Sequence, residues 1–358
     1  MRKIFTTIIL ISLNLCFAQQ ANTYFPSNLG FVWNYKVTPL DSLNNPITQL
    51  EFYRKDSLAL NSNYQGRLAS FVLSKEGPSQ TINSQPYVDT NFYSFEGTNA
   101  FEYFSSSGIQ QFLLQLDSLR IDTNFNFVRF FKSLENWYSV YRFAANQGSA
   151  YTLLQRDTTI STFRIRFKYS ATRNADQTIN TGIGSFTCKK FTTQWEFSYI
   201  LGIINVPLFS IEDTVWIAPN NWMVRAFQPS KSVDLSLLGI PPFKIQGRRI
   251  DIVSQIVNVN YENDLIENFV LFQNYPNPFN PSTKISWYSP QSGWHSLKVY
   301  DILGREVLTL INEYKEKGFY EIDLDLSKYV NNYLNSGVYF YTLKIDDYSQ
   351  TKKMILLK

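Results

Sequence analysis

Histidine is nearly absent from this chain: His295 is the only one among 358 residues. Cysteine is almost as scarce, with Cys16 and Cys188 alone. Together these exclude a disulfide scaffold and a Cys/His zinc site. Charge of one sign is also lacking. Lys and Arg number 33 against 29 Asp and Glu, unclustered, which argues against a nucleic-acid footprint. No apolar run reaches the roughly 20 residues of a membrane-spanning helix. What is present is aromatic: 16% of residues are Phe, Trp or Tyr, and 44% are hydrophobic. That is ample for a core and excludes disorder.

The N-terminus reads as an address. Arg2 and Lys3 precede a mostly apolar run from Ile4 to Leu15. A short apolar run behind a basic start is a secretory signal peptide. Small side chains at Cys16 and Ala18 place cleavage between Ala18 and Gln19. The expected partners are the Sec export machinery and signal peptidase. A lipidated Cys16 is disfavoured by Leu15 before it. Cleavage leaves Cys188 as the one thiol, with no histidine base in its own domain. It is expected to be a buried structural residue.

The texture changes again near Leu265. Tyr275-Pro276-Asn277-Pro278-Phe279-Asn280-Pro281 carries three prolines. Proline lacks a backbone donor, so this stretch is extended and cannot be a central strand. After it come short alternating runs bounded by turns: Lys284–Tyr288, Ser296–Ile302, Val307–Ile311, Gly318–Leu324, Gly337–Ile345 and Lys353–Leu357. Short strands at this spacing predict a small Ig-like β-sandwich over 266–358. His295, just before one of them, is expected at the surface.

Four motifs here stand in order. They are Asn274-Tyr275-Pro276-Asn277-Pro278-Phe279-Asn280-Pro281, then Val299-Tyr300-Asp301-Ile302-Leu303-Gly304-Arg305-Glu306, then Ser336-Gly337-Val338-Tyr339, then Thr351-Lys352-Lys353-Met354-Ile355-Leu356. On these residues the segment closely resembles the type A C-terminal sorting domain of the bacterial type IX secretion system. Asn331-Asn332-Tyr333-Leu334 departs from the pattern as a small insertion. The resemblance implies a Gram-negative host and export across both membranes to the cell surface or medium. It implies two further partners, the type IX translocon and its sortase-like processing peptidase.

Residues 19–265 would then be the passenger. Its charge is nearly balanced, 21 Lys and Arg against 19 Asp and Glu. Alternation dominates and long helical periodicity is absent. Phe31, Trp33, Tyr35 and Val37 alternate with Val32, Asn34 and Lys36, and Phe163, Ile165, Phe167 and Tyr169 with Arg164, Arg166 and Lys168. Phe186–Phe191, Thr214–Ile217 and Ile250–Tyr261 also read as strands, the last with a parity flip after Ile252. The chain as a whole is expected to be all-β. The passenger is a large antiparallel meandering domain with an open or half-barrel sheet. It is similar, in short fragments only, to uncharacterised secreted proteins of type IX lineages and to lipoprotein-carrier half-barrels.

Catalytic signatures are missing. No nucleophile elbow, P-loop, zincin motif or EF-hand loop occurs, and no cofactor or metal is expected. Carboxylate chemistry needs only two acids across a cleft. Glu196, Glu212 and Asp213 lie among Trp195, Tyr199, Trp216 and Trp222, which could stack on sugar rings. Arg164 and Arg166 line one strand face and could meet lipopolysaccharide phosphate or an acidic glycan. Core packing and a solvated face explain these residues more simply. The triplets beginning at Asp41, Asp56, Asp117, Asp157 and Asp213 resemble an O-glycosylation acceptor, and are also ordinary turn chemistry. The expected passenger is a non-enzymatic binding or structural module for glycan, lipid or protein. The alternatives are a carboxylate polysaccharide hydrolase and a half-barrel lipid carrier.

Overall fold

A computed structural model describes residues 20–80, 82, 87–106, 125–236, 240–254, 269–272, 274, 277–326 and 334–357. The expected signal peptide, its cleavage site at Ala18 and Gln19, Pro276 and the Asp117 triplet lie outside the described residues. The chain divides into two compact units, Met1–Ser106 with Phe112–Asp264, and Ser107–Gln111 with Leu265–Lys358. The fold is nearly all β, as expected.

The first unit is built on one 13-stranded antiparallel sheet. Its strands include β1 (Val32–Pro39), β2 (Phe52–Tyr64), β3 (Arg67–Gly77), β4 (Tyr87–Glu96), β5 (Asn99–Phe104) and β6 (Asn136–Arg142). They continue through β7 (Ser149–Ile160), β8 (Phe163–Arg173), β9 (Gln177–Thr181), β10 (Gly184–Leu201), β11 (Ile204–Ala218) and β12 (Trp222–Gln228). Two more, β13 (Lys231–Leu235) and β14 (Ile240–Ile245), form a separate hairpin, and β15 (Arg248–Ile252) rejoins the large sheet. The spatial order runs β6-β5-β4-β3-β2-β1-β15-β12-β11-β10-β8-β7. Its two ends, β6 and β7, are consecutive in the chain. The Tyr151 hydroxyl on β7 donates to the Val140 carbonyl on β6 at 2.6 Å. Side-chain bonding therefore joins the two edges of a nearly closed barrel.

Alternation drives this closure. Along β8, Ile165, Phe167, Tyr169, Ala171 and Arg173 are buried while Arg164, Arg166 and Lys168 are not. Burying one face of every strand curls the sheet around its apolar side. One part of the interior is filled by Trp33, Tyr35, Phe143, Phe191, Trp222 and their neighbours. Another cluster joins Ile165, Phe167, Val233 and Leu235 to α1 (Phe127–Lys132). Asn126 caps that short helix, its Oδ1 accepting from Arg129 N at 2.6 Å. Phe127 and Phe131 are thereby turned into the cluster. Of the strand expected over Ile250–Tyr261, β15 covers the part up to Ile252, and 255–261 lie outside the described residues. Val253 N donates to Asn34 O at 2.9 Å outside the regular ladder, so the parity flip marks a strand end.

The second unit holds two sheets. One pairs β16 (Val270–Leu271), β17 (Ser282–Ser289) and β20 (Gly318–Asp325). The other runs β19 (Glu306–Lys315), β18 (Gly293–Tyr300), β21 (Gly337–Ile345) and β22 (Tyr348–Leu356). Trp287, Leu297, Val299, Tyr341, Leu343 and Met354 are buried in its core. His295 is not at the surface. It lies within β18, fully buried, and Trp287 Nε1 donates to its Nδ1 at 3.0 Å.

Candidate functional site

The sorting motifs form a connected set within the second unit. Asn274 is buried; its amide N–H donates to the Tyr341 hydroxyl at 2.6 Å and its Nδ2 to Thr283 Oγ1 at 3.0 Å. Asn277 reaches the last strand, donating Nδ2 to Lys353 O at 3.1 Å and accepting from Ile355 N at 2.7 Å. Cis peptides precede Pro278 and Pro281. Phe279 bridges Leu356 in parallel, with Phe279 N donating to Ile355 O at 2.9 Å. The described part of the proline-rich stretch, from Asn277 to Phe279, thus lies along the edge of β22 and satisfies polar groups that β21 leaves unpaired. Gly304 takes φ +76° in the Asp301–Arg305 turn, a conformation glycine adopts without a Cβ penalty. Gly337, Val338 and Tyr339 open β21, and the Tyr339 hydroxyl donates to Asn335 O at 2.8 Å. Lys353 is exposed and Lys352 half-buried on β22.

In the first unit the carboxylates expected together are separated. Glu212 faces outward, accepting from Gln194 Nε2 at 3.3 Å, and Glu196 accepts from Ser198 Oγ at 2.8 Å. Asp213 takes the opposite parity, faces the interior with Val215, and is pushed up by burial. Trp216 and Trp222 are buried, so neither presents a free face. Trp216 Nε1 donates to Gln177 at 2.9 Å. Trp222 packs against five rings, those of Phe25, Tyr93, Phe95, Tyr141 and Phe143. Trp195 is half-buried and stacks on Tyr169 at 3.8 Å. Arg166 is engaged by Asp157 at 2.7 Å, while Arg164 is exposed. Cys188 is fully buried, and burial pushes its thiol up to about 11, far from a nucleophilic thiolate at neutral pH. The Asp56 triplet is buried within β2, and Asp41 caps a turn by accepting from Leu43 N at 2.8 Å.

A polar layer lies on the inward face beside Phe104 and Trp195, which pack against both apolar clusters. Glu102 lies on the inward face of β5, directly opposite Tyr93 on β4. Its Oε2 accepts from the Tyr141 hydroxyl at 3.0 Å. Burial pushes the Glu102 carboxyl up to about 7, and Asp213 and Asp89 push the same way. The Tyr141 hydrogen bond and Arg54 oppose them. Arg54 is held by Asp56, Nε to Oδ1 at 2.7 Å, and by Ser74 at 3.0 Å. Burial works against its charge, and Asp56 more than offsets this. Tyr93 and Tyr169 are raised well above the usual phenol range, first by burial and then by Glu102. Glu102, Tyr93, Asp213 and Trp195 all keep partial solvent exposure. The layer therefore gathers two carboxyls beside the phenols of Tyr93, Tyr141 and Tyr169 and the indole of Trp195. Two carboxyls with raised pKa in one interior are a candidate functional site. The sequence reading did not single out Glu102. Among the described residues no helix is long and apolar enough to cross a membrane, and no three His, Cys, Asp or Glu group to hold a metal.

Residues 273–357 match the family model of the secretion system C-terminal sorting domain. The type IX sorting tail expected from the four motifs is therefore present, and it supports export toward the cell surface or extracellular space. No curated protein matches the chain. Among solved structures, it is similar to a candidate lipoprotein from Parabacteroides distasonis at 12% identity and TM-score 0.35, over 64% of this chain and 96% of that one. A candidate exported protein with a YmcC-like fold from Bacteroides fragilis matches at 11% identity and TM-score 0.30, over 64% and 96%. PorZ, a surface component of the type IX secretion system of Porphyromonas gingivalis, matches at 9% identity and TM-score 0.19, over 86% and 50%.

Proposed function

We propose that the chain is a type IX cargo whose passenger, residues 19–265, is a non-enzymatic binding module. Its ligand site is the interior polar layer around Glu102, and the ligand class is a hydroxyl-rich glycan. The observation that carries this reading is the bond from Tyr141 to Glu102 with Tyr93 facing the same carboxyl. A carboxyl near half-protonation both donates to and accepts from sugar hydroxyls, and the neighbouring ring faces suit apolar sugar faces. The half-buried Trp195 supplies a fluorescent reporter beside the layer.

The test is a titration of the full chain with a panel of surface polysaccharide oligomers, read by tryptophan fluorescence and calorimetry. Saturable binding lost in Glu102→Ala supports the proposal. Binding unchanged in that variant, or no binding across the panel, overturns it.

One observation favours a second reading. The negative charge of Asp213 raises Glu102, so the two acids share one interior. A hydrolase using Glu102 and Asp213 would release new reducing ends from the same oligomers, lost in Asp213→Asn. The lipid-carrier reading has less support, because the apolar parts of the interior are filled by Trp33, Tyr35, Phe143, Phe191 and Trp222.

A further inference from the structure

Two aromatic side chains stand bare and side by side in the second unit. Trp294 on β18 and Tyr314 on β19 are direct partners in the antiparallel ladder, so both rings rise from one face of the sheet. It is the outer face: His295, Leu297 and Val299 alternate into the core, while Ser296 and Lys298 share the side of Trp294. Trp294 is 52% exposed and Tyr314 59%. The indole is nevertheless fixed. Its Nε1 donates to Asn312 Oδ1 at 2.9 Å, and Trp294 N donates to Asp346 Oδ1 at 3.4 Å. Gly293 permits that approach, because a Cβ there would lie 2.5 Å from the Asp346 carboxylate. With its N–H satisfied within the protein, the indole offers its ring face to a partner.

The rest of this face is polar. The next ladder row joins Asn312, Ser296, Lys344 and Ser349, and the row after it is three threonines and Lys298. Neither row holds an aliphatic side chain. Charges on and beside the face come in both signs. Lys298 pairs with Glu306 at 2.8 Å and Lys315 with Glu313 at 2.7 Å, and the exposed Lys344 stands against the exposed Asp346 and Asp347. An anionic head group or an acidic glycan therefore finds no surplus of cations here. A protein hot spot sits in a desolvated apolar core, and the row beside these rings is hydroxyl and amide instead. A pyranose fits both features. Its C–H face packs on an aromatic ring, and its hydroxyls need donors and acceptors around that ring.

We propose that the outer face of the β18–β19 hairpin, at Trp294 and Tyr314, is a binding platform for an uncharged glycan. Sugar rings stack on the indole and the phenol. The Asp346 carboxylate accepts from sugar hydroxyls, and Ser296 and Lys344 supply donors. This site belongs to the second unit and does not depend on the Glu102 layer binding anything.

The test uses the full chain and calorimetric titration with cellohexaose, xylohexaose and mannohexaose. At least one should bind saturably. Trp294→Ala and Tyr314→Ala should each weaken that binding about tenfold, the scale of a lost ring contact. Trp294→Phe should recover part of the loss, and Glu102→Ala should leave the binding unchanged. Both rings are exposed, and unchanged thermal melting checks that the fold is intact. Absent binding by the parent chain overturns the proposal, as does binding that Trp294→Ala leaves at full strength. Binding that follows Glu102 and not Trp294 belongs to the passenger and overturns it too. Lost surface delivery of Trp294→Ala in a type IX host, with no sugar bound by the parent, overturns it in favour of a protein partner. A dimer that Trp294→Ala converts to monomer, again without sugar binding, overturns it in favour of a second copy.

Discussion

The side chain of Asn277 pairs with Ile355 as a strand backbone would: its Oδ1 accepts from Ile355 N at 2.7 Å, while its Nδ2 donates two residues back to Lys353 O at 3.1 Å. One amide thus closes two hydrogen bonds on the outer edge of the terminal strand, next to those made by the Phe279 backbone. Asn277→Ala leaves both backbone groups without that partner. The expected cost is about 1–3 kcal/mol, local to β22. Hydrogen exchange should show faster exchange at Ile355, with β17 and β20 unchanged. Equal protection at Ile355 would show that the amide is dispensable. Because the resemblance makes this strand part of the translocon signal, the same variant should accumulate in the periplasm of a type IX host.

His295 sets a pH dependence in the second unit. Nδ1 accepts from Trp287, so the ring is neutral with its proton on Nε2. Burial holds its pKa below 6.5, and Lys315 adds to this. The sign follows directly. Below 6.5 the unfolded chain takes up a proton that the folded ring resists, so stability falls as pH drops into that window and is fully present above it. Thermal unfolding between pH 5 and 7.5 should show this slope, and His295→Gln should flatten it. A slope unchanged in the variant would assign the effect to other groups.

His295 also shows where the sequence was legible. Strand positions followed from period-two alternation in β8 and β1, because burial of one face imposes that pattern locally. The turn at Gly304 followed from turn chemistry. His295 read as exposed because its donor, Trp287, lies on a different strand, and a lone polar residue between Trp294 and Ser296 gives no sign of it. Glu196, Glu212 and Asp213 looked like one cluster in sequence. Strand parity sends Asp213 inward, and Glu212 next to it outward. Glu102 was missed for the converse reason. Its hydrogen-bond partner Tyr141 is 39 residues away, and only closure of the barrel brings Asp213 near.

Glu102 reverses the pH logic in the first unit. Its folded pKa is raised to about 7 by burial. From its ordinary value near 4.5 up to about 7, the folded chain holds a proton that the unfolded chain has released. Stability from this group is therefore greatest at low pH and is lost as pH rises through about 7. Glu102→Gln keeps an acceptor for Tyr141 and removes the titration. It should raise the melting temperature at pH 8 while leaving that at pH 4.5 nearly unchanged. A variant less stable at pH 8 would mean that the carboxylate is stabilised by its surroundings.

Trp222 tests whether the interior is one cooperative core. The residue is 5% exposed and sits at φ +56°, a conformation that a bulky side chain rarely takes. Backbone strain of this kind persists only where packing over-determines it. Here the packing is visible. Phe25 meets the indole at 5.2 Å, Tyr93 at 5.1 Å and Tyr141 at 5.3 Å, each edge-on. These rings come from the segment before β1, from β4 and from β6, so one side chain ties distant parts of the barrel together. Removing it leaves a cavity and unmoors Tyr93, which faces Glu102. Trp222→Ala should cost about 3–5 kcal/mol in denaturant unfolding, the range for a buried aromatic. Trp222→Gly separates the two contributions. It relieves the positive φ, so it should be less destabilising than the alanine variant if strain is stored there. A glycine variant clearly weaker than the alanine one would mean that the backbone turn is held by its own hydrogen bonds, such as Asn221 N to Ala218 O at 3.2 Å.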